Sequence, residues 1–354
     1  MMGHPMYRDL TLVKEGQARL WVPDVERLKG PGKRMPGFYN PIMKFARDMD
    51  ILLLTAMEPK PEKYLDALAG TGARGIRLQV EVPGMEGRVI MNELSPKGFA
   101  LVNLNLRENG LSAEAHNEEF MSAVDIAPFD WVDIDPYGSP VMFVHPAAAS
   151  VKRGYLSVTA TDTSVLSMVY PSVCRRRYGI HGTKTYMPHE VGLRGLLSYV
   201  VRVAASLDRS VRVLLSYSSD HYYRCVVELS TGANRADASL RSIGDLDVDG
   251  RIVGPLYLGP LADPKLLEKM EPLPQIDPRC MRLLSILRSE LDLPPGYLHT
   301  DLISRDAKVA PPSVEKMVEL LRAHGFRASR THVDPKGVRT DAPKGEAIRL
   351  LSSR

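Results

Sequence analysis

The stretch that decides the fold runs from position 64 to 77 and reads YLDALAGTGARGIR. Its apolar start predicts a strand ending at Asp66. A turn of small residues follows, and a helix is expected from about Ala73. Gly70, Gly72 and Gly75 spell G-x-G-x-x-G, a pattern that lets the backbone approach a ligand closely while the helix N-terminus offers free N–H groups. The spelling suits a nicotinamide cofactor too, and such a turn can also serve strand–helix packing alone.

Outward from the turn, short apolar runs alternate with helix-like stretches between Tyr64 and Leu229. The runs YLDAL, RVIMNEL, FDWVDID, GYLSVTAT and RVLLSYS are nearly continuous in apolar character, as strands buried on both faces of a parallel sheet must be. The alternation predicts a doubly wound, Rossmann-like α/β sheet covered by helices. RVLLSYS and YYRCVVEL, split by Ser219, Asp220 and His221, predict an antiparallel hairpin closing that sheet. Ahead of it, residues 11–22 predict two short strands around Glu15 and Gly16. Residues 30–41 (GPGKRMPGFYNP) predict a basic, aromatic loop, and residues 42–57 a helix that Pro59 stops.

At 354 residues the chain is too long for one ordinary core, so two domains are expected. We place a catalytic domain at 1–232, with the hairpin and the FYNP loop, and a smaller α+β domain at 233–354. Residues 231–275 read as loop-rich. Residues 276–354 read as a winged-helix-like module: the amphipathic stretches CMRLLSILRSEL and SVEKMVELLRAHGF, then a ribbon, ASRTHVDPKGVRT. With 44% hydrophobic and 25% charged residues the composition is that of a soluble globular protein, and a net charge of +4 suits a polyanionic partner without demanding one. The three cysteines, Cys174, Cys225 and Cys280, lie too far apart for a Cys-x-x-Cys site, so neither a disulfide framework nor a metal is expected. No stretch approaches the length of a membrane span, and a cytoplasmic protein is expected.

Two carboxylates separate the cofactor choices. Asp66 at the strand end would repel a pyrophosphate but welcome a cationic amino group or sulfonium, and S-adenosylmethionine carries both without any phosphate. Glu93, ending the next strand, is placed to accept both ribose hydroxyls, a role common to both cofactor types. The segment 130–140, DWVDIDPYGSP, predicts a strand with Asp135 at its carboxyl end, where open α/β sheets bind ligands. An acid followed by Pro and an aromatic suits methylation of an exocyclic amine, whose lone pair is delocalised into the ring. Accepting its two hydrogens on the Asp135 carboxylate and the Pro136 carbonyl favours a tetrahedral nitrogen. Pro136 fixes the backbone and Tyr137 can stack on the base. Asp133, two residues earlier on the same face, reads as a buried, hydrogen-bonded support or as a second catalytic carboxylate.

Taken together, FYNPIMKFARD, DALAGTGARGIR, NELSP, DIDPYGSP, VTATD, HEVGLRGLL, DHYYRCVVEL, YLGPL and THVDPKGVRTDAP occur in an order that resembles the tRNA guanine-N2 dimethyltransferases acting at position 26. The resemblance runs from about Phe38 to the C-terminus. It implies an S-adenosylmethionine-dependent enzyme with tRNA as partner and substrate. It implies cofactor contacts at Arg47 and Arg74, ribose binding at Glu93, an adenine border at Glu119 and Phe120, and Asp135 as catalytic carboxylate. The chain departs from the family pattern where Glu93 replaces the usual Asp and Glu119-Phe120 the usual Asp-Ala pair. Some members carry a four-cysteine zinc site that this chain cannot build.

Other residues take their readings from local chemistry. Phe38 and Tyr39 belong to a Gly/Pro-hinged aromatic loop suited to closing over cofactor and base. Arg175, Arg176 and Arg177, beside Tyr178, suit phosphate contacts or a solvated face. Arg322, Arg327, Arg330, Lys336 and Arg339 suggest a basic surface on the terminal module. His181, His189 and His221 show no metal spacing. Three rivals share parts of this pattern: an amino methyltransferase acting on DNA adenine or protein glutamine, a nicotinamide-dependent oxidoreductase, and an RNA-binding protein that has lost catalysis.

Overall fold

The computed structural model of the chain describes residues 9–24, 37–151 and 153–353. The Gly/Pro-rich loop is therefore described only from Gly37 onward, and residues 30–36 lie outside the described residues. Two compact units divide the chain: one takes residues 1–159, 228–230 and 268–281, the other residues 160–227, 231–267 and 282–354.

The first unit opens with an antiparallel hairpin, β1 (Leu10–Glu15) and β2 (Ala18–Pro23), turning at Gly16 with φ +61°. Asn40 then caps a single 3-10 turn, Pro41–Met43, by accepting from the Ile42 N–H at 3.0 Å. An Asn-Pro pair is suited to starting such a turn, since proline presets φ and lacks the N–H that would go unpaired. Helix α1 (Lys44–Ala56) follows.

The parallel core comes next: β3 (Tyr64–Asp66), α2 (Ala73–Glu81), β4 (Val89–Asn92), α3 (Pro96–Glu108), β5 (Ala115–His116), α4 (Phe120–Asp125), β6 (Trp131–Ile134), α5 (Val141–Ser150) and β7 (Arg153–Ala160). In space the strands run β5-β4-β3-β6-β7, extended by β9 (Tyr222–Thr231), which gives Glu228–Ser230 to this unit. The order reverses between β3 and β6. Right-handed crossovers on either side of that reversal put the two sets of helices on opposite faces, which is the doubly wound arrangement the apolar runs predicted. The carboxyl ends of β3 and β6 then flank a crevice, and their last paired residues are Asp66 and Asp133.

In the second unit α6 (Thr163–Leu166), α7 (Pro171–Tyr178) and the long α8 (Pro188–Ala205) precede β8 (Arg209–Ser219). β8 neighbours β9 across Asp220 and His221, a connection short enough only for an antiparallel pair. Residues 231–275 are not loop-rich. They form α9 (Ala233–Leu240), the hairpin β10 (Ile243–Val248) and β11 (Arg251–Tyr257), and α10 (Pro264–Lys269). The missed signal is Asp249-Gly250, which takes φ values of +52° and +79° at the hairpin tip, the conformation that Asp-Gly turns supply.

Helix α11 (Pro278–Glu290) leads to β12 (Leu298–His299), α12 (Thr300–Ala307), α13 (Val314–Ala323), β13 (Ala328–Thr331), β14 (Asp334–Thr340) and α14 (Lys344–Ser352). The small sheet has the order β12-β14-β13. It shares a core with the helices through Ile303, Met317, Leu321, Val338 and Leu350, the winged-helix-like outline expected of residues 276–354.

Candidate active site

The glycine turn is built as its spelling suggests, and each glycine has its own reason. Gly70 (φ +60°) and Gly72 (φ +78°) adopt left-handed backbone, which costs an ordinary residue on the order of 1–2 kcal/mol. A Cβ on Gly70 would also lie 2.5 Å from the Phe38 carbonyl oxygen, because the FYNP loop runs directly over the turn. At Gly75 a Cβ would press to 2.7 Å on Met91, so this glycine seats α2 against β4. Asp66 is buried and accepts the Gly75 N–H at 3.1 Å, a favourable place for a carboxylate at the start of a helix.

A cleft forms here, lined by Phe38, Tyr39, Arg47, Asp66, Gly70, Arg74 and Asp135 together with Asn40, Met43 and the turn backbone. Its lining carries two carboxylates, Asp66 and Asp135, and two guanidiniums, Arg47 and Arg74, and further carboxylates stand behind them. Arg74, buried in the first turn of α2, pairs with both Asp50 and Asp135, and its Nε lies 3.6 Å from Asp133 Oδ1. Three carboxylates thus surround one guanidinium, and Asp66 adds a fourth at the same crevice. Asp133 is fully buried and also accepts the Tyr64 hydroxyl at 2.9 Å.

The cleft's other cation, Arg47, already has a carboxylate. Its Nε and Nη2 donate to Glu15 at 2.6 and 2.7 Å, and Nη2 also reaches the Asn40 carbonyl at 3.2 Å. Glu15 further accepts the Tyr39 hydroxyl at 2.8 Å and Arg77 Nη1 at 2.9 Å. Burial pushes Glu15 upward, but Arg47 and Arg77 outweigh it and hold the carboxyl down at about 2. Arg47 is buried and lines the cleft.

Glu93 follows the last residue of β4. Oε2 accepts the Gly70 N–H at 2.8 Å and Oε1 the Ser95 N–H at 2.9 Å, leaving each oxygen a second lone pair. Burial raises its pKa, and the two backbone donors oppose the rise. Glu119 and Phe120 do not line the cleft. Glu119 is exposed at the start of α4, and Phe120 meets Phe143 edge-on at 4.9 Å between ring centroids.

Sequence reasoning overlooked what holds that segment. Asn92 bonds both the N–H and the carbonyl of Glu118 at 3.1 Å, and Asn117 donates to the Glu93 and Leu94 carbonyls. An asparagine closing a buried strand was the available signal, since a fully buried amide must find partners.

Pro136 is buried, while Tyr137 is 71% exposed and meets Phe38 edge-on at 6.0 Å. Arg175, Arg176 and Arg177 lie on α7 in the second unit, all exposed. The basic surface expected of the terminal module is largely neutralised. Arg327 pairs with Asp341, Arg330 with Glu315 and Lys336 with Asp301. Arg339 is only 1% exposed and is locked between Glu190 and Glu290. Among the described residues no group of three or more His, Cys, Asp or Glu could hold a metal ion.

The profile of the N2,N2-dimethylguanosine tRNA methyltransferase family matches residues 16–248 and 245–352. The chain belongs to this family. A tRNA (guanine(26)-N(2))-dimethyltransferase of Thermococcus kodakarensis is 37% identical, covering 98% of this chain and all of that protein. One of Thermoplasma volcanium is 35% identical over 96% of this chain and 98% of its own. A solved structure of Trm1 from Pyrococcus horikoshii, in complex with S-adenosyl-L-methionine, superposes with a TM-score of 0.86 at 31% identity, covering 96% of this chain and 99% of that one. Family membership confirms the Rossmann-like methyltransferase fold read from the apolar runs.

Proposed function

We propose that the chain transfers methyl groups from S-adenosylmethionine to the exocyclic N2 amine of guanine 26 in tRNA, with Asp135 as the catalytic carboxylate. The observation that carries the reading is the crevice at the reversal of strand order. There Asp135 follows β6 beside a glycine turn, in a cluster where Asp50, Asp133 and Asp135 surround the single guanidinium of Arg74. Such a cluster attracts a ligand bearing a sulfonium and an ammonium and repels a pyrophosphate, which disfavours a nicotinamide dinucleotide. The chain is an S-adenosylmethionine-dependent tRNA (guanine-N2) methyltransferase.

The residues present fit that cofactor. Gly70 and Gly72 supply bare backbone, and Asp66 supplies a counter-charge for the amino group. Arg47 and Arg74 line the cleft and would share with the cofactor's carboxylate guanidiniums already paired to Glu15 and to Asp50 and Asp135. Glu93 offers its remaining lone pairs to the ribose hydroxyls, while Glu119 and Phe120, outside the cleft as it stands, would meet the adenine only where it extends past Glu93. When bound, S-adenosylmethionine supplies a methyl group on sulfur, a strong leaving group. The protein's part is to present the amine. Asp135 accepts one N–H and the Pro136 carbonyl the other, which tilts the nitrogen toward tetrahedral geometry and aims its lone pair. Arg74 orients the Asp135 carboxylate through their ion pair. Tyr137 and Phe38 offer exposed ring faces to a base outside its stack. Positioning and placed charge, rather than acid–base chemistry, supply most of the rate.

Residues 233–354 and the arginines of α7, Arg175, Arg176 and Arg177, are assigned to tRNA binding. No helix among the described residues is long and apolar enough to cross a membrane, and a cytoplasmic location suits a tRNA-modifying enzyme. Labelled S-adenosylmethionine incubated with an unmodified tRNA transcript, followed by nucleoside mass analysis, tests the assignment. Label is expected in N2-methylated guanosine at position 26, and its absence from every guanosine sinks the reading. Asp135→Ala should bind cofactor as the wild type does yet lose at least ~100-fold in transfer.

A further inference from the structure

Helix α7 is fastened on one side and bare on the other. Cys174 and Tyr178 are buried. The Tyr178 hydroxyl donates to Asp162 Oδ1 at 2.6 Å, its ring meets Tyr199 edge-on at 5.5 Å, and its carbonyl accepts from Arg202. Arg177 Nη1 sits 3.2 Å from Asp162 Oδ2, so its charge is partly offset. Arg175 and Arg176 are exposed and have no carboxylate partner among the described residues. They stand in contrast to the terminal module, where Arg327, Arg330 and Lys336 are each paired with an acid.

The turn leading into α7 is unusual in two ways. Met168 is buried, is not glycine, and still takes a φ of +63°, a conformation that costs on the order of 1–2 kcal/mol. The next two residues, Val169 and Tyr170, are 44% and 56% exposed. A strained, buried residue therefore holds the turn that carries an exposed aromatic side chain, Tyr170, at the start of the helix that carries the exposed Arg175 and Arg176. Cations alone would suffice for a duplex surface, because duplex RNA is read mainly through phosphates and 2′-hydroxyls. An exposed ring adds nothing there, but it is the standard platform for an unstacked base.

We infer that Tyr170, Arg175 and Arg176 form a docking surface for an unpaired stretch of the tRNA, with Tyr170 stacking on a base and the two arginines holding its flanking phosphates. This rests on the tRNA reading above and adds to it a residue, Tyr170, and a class of RNA structure. Because α7 is already fixed by Cys174, Tyr178 and Asp162, little ordering is needed when RNA arrives.

The test is equilibrium binding of the full chain to an unmodified tRNA transcript and to a fully duplex RNA of equal length, over a range of salt. Tyr170→Ala should weaken tRNA binding roughly tenfold while leaving the duplex affinity unchanged, and Tyr170→Phe should restore it. Arg175→Gln and Arg176→Gln should each lower the slope of log affinity against log salt by about 1. Stabilisation by S-adenosylmethionine in a melting assay should match the wild type in all four variants. Equal tRNA affinity for Tyr170→Ala and wild type overturns the inference, as does an equal loss on duplex RNA. A changed oligomeric state with unchanged tRNA affinity also overturns it, by making the patch a protein contact. If wild type itself neither binds nor methylates the transcript, the underlying assignment fails instead.

Discussion

Gly70 shows how one residue serves backbone and ligand together. Its left-handed φ and the Phe38 carbonyl 2.5 Å from any Cβ both exclude a side chain. An alanine there must push back the Phe38 backbone as well as adopt strained torsions. Gly70→Ala is expected to melt several degrees lower and to bind S-adenosylmethionine about tenfold more weakly, measured by calorimetry of unfolding and of binding. Unchanged cofactor affinity would show that the FYNP loop can move off the turn without consequence. Gly75 faces the flexible Met91 side chain rather than backbone, so the same substitution there should perturb α2 packing more than cofactor binding.

At the scale of elements, the N-terminal hairpin acts as a brace. Glu15, at the end of β1, joins Arg47 of α1, Arg77 of α2 and Tyr39 of the FYNP loop. Removing one partner of a buried ion pair strands the other charges, and the usual loss is about 3–5 kcal/mol. Glu15→Ala is therefore expected to lower stability by that order in denaturant titration. It should also loosen Arg47 and Tyr39 enough to weaken cofactor binding. A loss below about 1 kcal/mol would mean that water replaces the carboxylate.

Across the whole molecule, each unit contains a buried carboxyl held far below its ordinary value. In one it is Glu15. In the other it is Glu290, where burial raises the pKa but His332 and Arg339 outweigh it and leave the group at about 2. Folded-state values below the unfolded value of 4.5 mean that this stability is fully present above pH 4.5 and is lost as pH falls toward 2. Each shift corresponds to on the order of 3 kcal/mol. Stability followed by circular dichroism in urea should hold down to about pH 4.5 and then fall steeply. Glu15→Gln should remove part of that acid-dependent fall, whereas an unaltered pH profile would assign it to other carboxyls.

Alone, the sequence determined the features that depend on neighbours along the chain. Unbroken apolar runs announce strands buried on both faces, glycines announce left-handed turns, and an acid before Pro-Tyr-Gly marks the end of a strand. These patterns were enough for the sheet, the turn, the position of Asp135 after β6 and the family. The tertiary structure decided the electrostatics, because ion pairs join residues that no local pattern connects. Glu15 meets Arg77 across 62 positions, and Arg339 meets Glu190 across 149. Only once folded does Arg74 become the hub of Asp50, Asp133 and Asp135. By the same means, four of the five basic residues expected to grip RNA in the terminal module, Arg327, Arg330, Lys336 and Arg339, prove to be held by acids, while Arg175 and Arg176 stay open. Whether a charge is available to a ligand depends on which opposite charge lies within a few ångströms, and folding sets that distance.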